Sequence, residues 1–146
     1  MAGMSGRFTH AVASALDRAA KLVAPPGERA AHLTTGDRGE EEAYFYLRKL
    51  GYTIVARNFR SPRRRGEIDL IGYEKDVLCF IEVKTRTTRA VAPAEAAVDE
   101  DKQRDLTQVA EEYLRRLKTT PASRFDVVSI YYEDGKTDIT LFRRAF

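Results

Sequence analysis

Two carboxylates and a lysine fall close together in consecutive apolar runs. Asp69 lies in Gly66-Glu67-Ile68-Asp69-Leu70-Ile71, and Glu82 and Lys84 lie in Phe80-Ile81-Glu82-Val83-Lys84-Thr85. An acid flanked by Ile and Leu is expected to be partly buried, where a charge is costly unless it is paired or bound to a metal. On neighbouring strands, Asp69 and Glu82 would offer oxygen ligands to a hard cation, Mg²⁺ or Mn²⁺. The carbonyl of Val83, between Glu82 and Lys84, is a further candidate ligand. Such a cation acidifies a bound water and offsets charge developing on a phosphate. Lys84 would then position or help to deprotonate that water and stabilise the transition state. This is the chemistry of a metal-dependent phosphodiesterase.

The geometry depends on strand register. Side chains alternate along a strand, so Glu67, Asp69 and Ile71 are expected on one face, and Phe80, Glu82 and Lys84 on one face. If Lys75-Asp76 forms a two-residue hairpin loop, Asp69 lies opposite Glu82, and Glu67 opposite Lys84. Directly opposed residues point the same way, with Cβ atoms roughly 5 Å apart. The plain structural alternative is a cross-strand ion pair of Glu67 with Lys84, which adds little stability at a surface. Against it, Asp69 and Glu82 interrupt apolar runs, and two carboxylates that close repel without a cation.

Other residues are candidates for the same site. Glu40 lies near the start of a helix, on the face of Ala43, Tyr44 and Leu47, and so points toward the sheet. Its alternative role is as the N3 acid of an Asp37-x-x-Glu40 capping box. Gln103 precedes Leu106 and Ala110 on the inward face of a second helix, where its amide would reach a phosphate or a metal-bound water; an exposed, uninvolved glutamine is the alternative. Arg57, Arg60, Arg63, Arg64 and Arg65 lead directly into the Asp69 strand. With Arg86, just past Lys84, they are candidates for sequence-independent contacts to a nucleic-acid backbone. A solvated loop is the alternative. His10 and His32 receive no role.

These residues need an α/β scaffold, and the punctuation of the chain supplies one. A helix is expected from about Asp37 to Leu50, stopped by Gly51. Strands follow at about Thr53–Asn58, Glu67–Gly72 and Val77–Thr85, with the arginine loop Arg60–Gly66 between the first two. A Pro/Ala-rich loop leads to a helix over about Asp99–Leu117, with Leu106, Val109, Ala110, Tyr113 and Leu117 facing inward. Strands over Phe125–Tyr132 and Asp138–Phe142 meet at Asp134-Gly135, a strong hairpin signal. The order is helix, three strands, helix, two strands. The first 35 residues form a separate extension, in which Phe8, Val12, Leu16 and Ala19 recur at helical spacing until Pro25-Pro26-Gly27.

Length and composition limit the alternatives. At 146 residues, the chain supports one domain with a real core. It is 43% hydrophobic and 32% charged, which describes a globular protein and not a disordered one. Net charge is only +3, so the placement of the arginines says more than their sum. Cys79 is the single cysteine. It excludes a disulfide framework, suits a cytoplasmic setting and reads as a small buried hydrophobe. No run approaches a membrane span. A Gly-rich phosphate loop, a nucleophile elbow and paired-cysteine zinc spacing are all missing.

The ordered motifs resemble a known group. Gly36-Asp37-Arg38-Gly39-Glu40-Glu41-Glu42-Ala43 is similar to the Gly-x-x-Gly-Glu-x-x-Ala opening of the bacterial YraN family. The likeness continues through Arg57-Asn58-Phe59-Arg60, Gly66 to Ile71, Glu82 to Arg86, Pro93-Ala94-Glu95-Ala96, Lys102-Gln103 and Arg124 to Val128, and it ends near Arg144-Ala145-Phe146. That family resembles Holliday-junction resolvases within the PD-(D/E)XK, or restriction-endonuclease-like, nuclease fold. The resemblance implies a mixed sheet flanked by helices in the order α-β-β-β-α-β-β. It implies Asp69 and Glu82 as metal ligands, Lys84 as the lysine of Glu-x-Lys, Glu40 as the helical acid and Gln103 as the glutamine of a Lys-Gln helix start. Ile68 stands where the superfamily commonly has proline.

The expected function is a Mg²⁺- or Mn²⁺-dependent DNA endonuclease that hydrolyses phosphodiester bonds, with branched or damaged DNA as its substrate class. DNA is favoured over RNA, no membrane is involved, and a homodimer would suit symmetric cutting of two strands. The alternatives are a non-catalytic nucleic-acid-binding module on a nuclease fold and a protein-interaction module.

Overall fold

The computed structural model describes residues 34–87 and 98–146. The helix expected in the N-terminal extension, His10, His32 and the Pro/Ala-rich loop lie outside the described residues.

Helix α1 spans Thr35–Lys49 and is fixed at both ends by local hydrogen bonds. Thr34 is the N-cap: its hydroxyl accepts from the Asp37 N–H at 3.2 Å, and Asp37 Oδ2 accepts from the Thr34 N–H at 3.1 Å. That reciprocal pair is a capping box. The helix therefore starts before Asp37, and Glu40 is not the capping acid. At the other end, the Gly51 N–H donates to the Arg48 carbonyl and the Tyr52 N–H to the Leu47 carbonyl, both at 3.0 Å. This is a Schellman closure, with Gly51 at φ 96° in the left-handed position that glycine adopts without steric cost.

Five strands form one mixed sheet in sequence order. They are β1 (Thr53–Arg60), β2 (Glu67–Glu74), β3 (Val77–Arg86), β4 (Ser123–Glu133) and β5 (Lys136–Phe142). The β1–β2, β2–β3 and β4–β5 pairs are antiparallel. The β3–β4 pair is parallel and is crossed over by helix α2 (Glu100–Arg115), whose N-cap Asp99 accepts from the Lys102 N–H at 2.8 Å. The order α-β-β-β-α-β-β and the helix-flanked mixed sheet are those expected from the motifs.

Each helix covers one face of the sheet. Ala43, Tyr44 and Leu47 of α1 pack with Ile54, Leu70, Cys79, Ile81, Val128 and Ile130. Leu106, Val109 and Ala110 of α2 pack with Ile68, Ile71, Leu78, Phe80 and Val127 on the other face. Cys79 is fully buried among these side chains, and burial first, then the Asp126 charge, pushes its thiol up to about 12. It is the inert small hydrophobe expected.

The central hairpin holds the inferred register. Glu74 pairs with Val77, Gly72 with Cys79, and Leu70 with Ile81. The ladder ends there, one step before Asp69 and Glu82. Strict alternation also fails at this point, because Ile68 joins the α2 core and Leu70 the α1 core. The reason is a competing hydrogen bond: Asp69 Oδ2 accepts from the Val83 N–H at 2.7 Å. A side chain has replaced a strand as Val83's partner.

Candidate metal centre

The end of the ladder opens a gap between β2 and β3, and acids from three elements converge on it. One carboxylate oxygen each from Glu40, Glu67 and Asp69 lies within 4.8 Å of the others. Glu40 arrives from α1 because that helix meets β3 closely. A Cβ on Gly39 would stand 2.0 Å from Thr85 Oγ1, so only a glycine allows this contact. Glu67 and Asp69 come from the first residues of β2, where Gly66 leads in from the arginine loop.

Asn58 ties two of these acids together. Its Nδ2 donates to Glu40 Oε2 and to Glu67 Oε1, both at 2.9 Å. Asn58 sits at φ 48°, a left-handed conformation that asparagine tolerates better than most residues. Glu67 also accepts from Arg60. The cross-strand pairing of Glu67 with Lys84 expected from strict register is not made, since the ladder stops at Leu70.

Glu82 closes the cluster from the α2 side. Its side chain is 5% exposed, and Oε1 pairs with Lys84 Nζ at 3.2 Å and Lys102 Nζ at 3.1 Å. Oε2 is buried with no hydrogen-bond partner among the described residues. The adjacent carboxyl is Asp69, itself an acceptor when ionised. Burial, the Glu82 charge and the nearby Glu40 push Asp69 up to about 8, against the lowering effect of the Val83 N–H. A proton shared with Glu82, or a cation between them, would relieve the repulsion of the two carboxylates. Lys102 is raised as well, which for an ammonium favours the charged form. Burial alone would lower it, but Glu82, Asp69 and Asp99 outweigh that effect and raise it above its ordinary value.

Asp69 is the common member: it belongs to the three-acid group with Glu40 and Glu67 and also neighbours Glu82, which lies outside that group. Such a chain of carboxylate oxygens fits a hard divalent cation, which takes oxygen ligands. The structure therefore brings together Glu40, Asp69, Glu82 and Lys84 and adds Glu67. At Val83 the contact seen is through the amide N–H. Gln103 is elsewhere: its Nε2 donates to the Val98 carbonyl at 3.0 Å and fastens the start of α2.

The cations divide into anchored and free groups. Arg57 lies over the Tyr44 ring at 4.8 Å, Arg60 pairs with Glu67, and Arg64 Nε lies 3.8 Å from Glu112 of α2. A Cβ on Gly66 would be 3.7 Å from the Asp105 side chain, so the arginine loop runs against α2. Arg63 and Arg65 are exposed and make no side-chain ion pair among the described residues. Arg86 is half-buried, and its Nε has no hydrogen-bond partner among the described residues.

Three members of the site escaped the sequence reading. Asn58 gave a weak signal, an asparagine breaking a strand pattern. Glu67 was visible but assigned to an ion pair. Lys102 stood in the Lys102-Gln103 motif, but a lysine in the first turn of a helix reads as solvated.

Comparison with known proteins agrees with the motifs. A family model described as Uncharacterised protein family UPF0102 matches residues 39–130. A UPF0102 protein of Koribacter versatilis is 51% identical over 139 residues, covering 95% of this chain and 94% of that protein. UPF0102 proteins of Desulfosudis oleivorans and Solibacter usitatus are 42% and 45% identical over 112 residues each, covering 76% of this chain and 88% and 84% of those proteins. The chain belongs to the UPF0102 family, the YraN group that its motifs resemble.

Proposed function

We propose that this protein is a Mg²⁺- or Mn²⁺-dependent endonuclease that hydrolyses phosphodiester bonds in DNA, with branched or damaged DNA as its substrate class. The observation that carries the reading is Asp69, which joins the three-acid group of Glu40 and Glu67 to its neighbour Glu82, whose buried Oε2 has no hydrogen-bond partner among the described residues. Asp69, Glu82 and Glu40 would hold the cation, with the Val83 carbonyl as a further ligand. When bound, the cation supplies Lewis acidity to a water and to a phosphate oxygen.

The chain's own residues do the rest. The Val83 N–H and Asn58 hold Asp69 and Glu40 in place before any ligand arrives. Such preorganisation removes the cost of arranging the site during reaction. Lys84 is one-fifth exposed and anchored by Glu82, so its ammonium reaches the mouth of the site in a fixed direction. There it orients the attacking water and faces the charge that builds on the phosphate. Arg63 and Arg65 hold the backbone on the loop side. A two-fold pair of chains would suit symmetric cutting of both strands of a duplex.

Two lysines already neutralise Glu82 without a cation, and this favours a second reading, a DNA-binding module without catalysis. The deciding experiment incubates labelled single-stranded, duplex, flapped and four-way-junction DNA with Mg²⁺ or Mn²⁺. Wild type is compared with Asp69→Ala and Glu82→Ala. Metal-dependent cutting that both variants lose is the expected result. No cutting, with equal salt-sensitive binding by all three proteins, would establish the binding module instead.

A further inference from the structure

Lys102 stands one helical turn before Asp105, on the side of α2 that borders the arginine loop. Its ammonium reaches across the layer to Glu82 Oε1 at 3.1 Å, the atom that Lys84 also holds at 3.2 Å. The two lysines differ in setting. The Lys84 side chain is 21% exposed, whereas that of Lys102 is 39% exposed and sits at the rim. One carboxylate oxygen with two ammonium partners, next to a second oxygen with none, is an uneven distribution of charge. A divalent cation bound through Asp69 and the free Oε2 would draw on the same carboxylate charge and weaken its hold on the less buried ammonium at Oε1.

We infer that Lys102 is a positioning residue that couples metal loading to nucleic-acid binding: it occupies Glu82 in the metal-free chain and becomes a phosphate contact when a divalent cation takes that carboxylate. This rests on the metal-site reading above and adds the regulation of that site. Once released, the ammonium lies between Lys84 and the arginine loop, completing a line of cations along one rim. Metal and DNA then favour each other's binding, since each uses the state in which Lys102 has left Glu82. Without metal, Lys102 is spent on Glu82, and the chain contacts one phosphate fewer.

The test uses the whole chain and measures binding, not cleavage. Mn²⁺ affinity is measured by titration calorimetry for wild type, Lys102→Met and Lys102→Arg. Binding of a short labelled duplex is measured against salt, with Ca²⁺ and with EDTA. Losing a competing ion pair should tighten Mn²⁺ binding by Lys102→Met about threefold or more, given what partly exposed pairs contribute. In wild type, Ca²⁺ should steepen the log–log salt dependence of binding by about one, the signature of one added phosphate contact. Lys102→Met should lose that increment, and Lys102→Arg should keep it.

Equal Mn²⁺ affinity in wild type and Lys102→Met, with a salt slope that Ca²⁺ leaves unchanged, would overturn the coupling while leaving the metal site intact. No Mn²⁺ binding by wild type would overturn both.

Discussion

Asp69 is placed where burial and two neighbouring acids oppose its ionisation and one hydrogen bond favours it. Burial, Glu82 and Glu40 push it up to about 8, while the Val83 N–H pulls the other way. The folded metal-free chain therefore keeps a proton that the unfolded chain, titrating near the ordinary 3.8, gives up. Stability from this group is complete below that ordinary value and is lost as pH rises through about 8. With EDTA present, urea midpoints of wild type should fall across this window relative to those of Asp69→Asn. The amide of Asp69→Asn can still accept from Val83 and can donate to the orphaned Glu82 oxygen. This variant should stabilise the metal-free protein by about 1–2 kcal/mol and abolish the midpoint shift that Mn²⁺ gives wild type. Such a gain would mark the site as a place where function is kept at a cost in stability.

At the scale of elements, the critical junction is α1 on β3. Glu40 reaches the cluster only because Gly39 lets the helix backbone settle against Thr85. Gly39→Ala should destabilise the fold by about 1–3 kcal/mol, as overpacking does, despite the higher helix propensity of alanine. Thr85→Gly should recover much of that loss when combined with it, and a double-mutant cycle by chemical denaturation measures the coupling. If the two changes simply add, the contact is not what fixes the helix. The C-terminal end of α1 was legible because the Schellman motif is local, and Gly51 announced the stop. The start was misassigned by two residues because Thr34 and Asp37 form the same kind of box as Asp37 and Glu40 would, and only the backbone at Thr34 chooses between them.

At the scale of the whole molecule, the polar groups divide between two ends of the sheet. Opposite the carboxylate cluster, Asp126 is fully buried and accepts from Arg124 Nε at 2.9 Å, the Arg144 N–H at 3.0 Å and Tyr52 Oη at 3.2 Å. Glu74 joins them, held at 2.6 Å by Arg143 Nη2 and by Arg124. Arg143 and Arg124 hold the Glu74 carboxyl down to about 2. Each of these carboxylates has donors, whereas at the other end Glu82 Oε2 is buried with none among the described residues. Asp126→Ala should cost about 3–5 kcal/mol by leaving Arg124 without its buried partner, and it should leave DNA affinity unchanged. Replacing Arg63, Arg64 and Arg65 together by Ala should do the reverse. Stability should move by no more than about 0.5 kcal/mol, and the salt slope of DNA binding should fall by about 2–3. Unchanged DNA binding would instead favour a protein-interaction role. No helix among the described residues is long and apolar enough to cross a membrane.

The sequence by itself carried the elements, their order and, given a tight turn at Lys75-Asp76, the hairpin register from Leu70 to Glu74. It marked Asp69, Glu82 and Lys84 as neighbours while leaving Glu40 between a site role and a cap. Those features follow from local rules: alternation in strands, helical periodicity, turn residues and the placement of acids inside apolar runs. Only the tertiary structure decided that the ladder ends at Leu70, that Asp69 takes the Val83 N–H, and that Glu67 and Asn58 join the cluster. It alone turned Gln103 away to Val98 and brought Lys102 across the sheet to Glu82. Each of these depends on hydrogen bonds and ion pairs between residues distant in the chain, where a few tenths of an ångström select the partner. Periodicity carries which face a residue occupies, but not which atom it finds there.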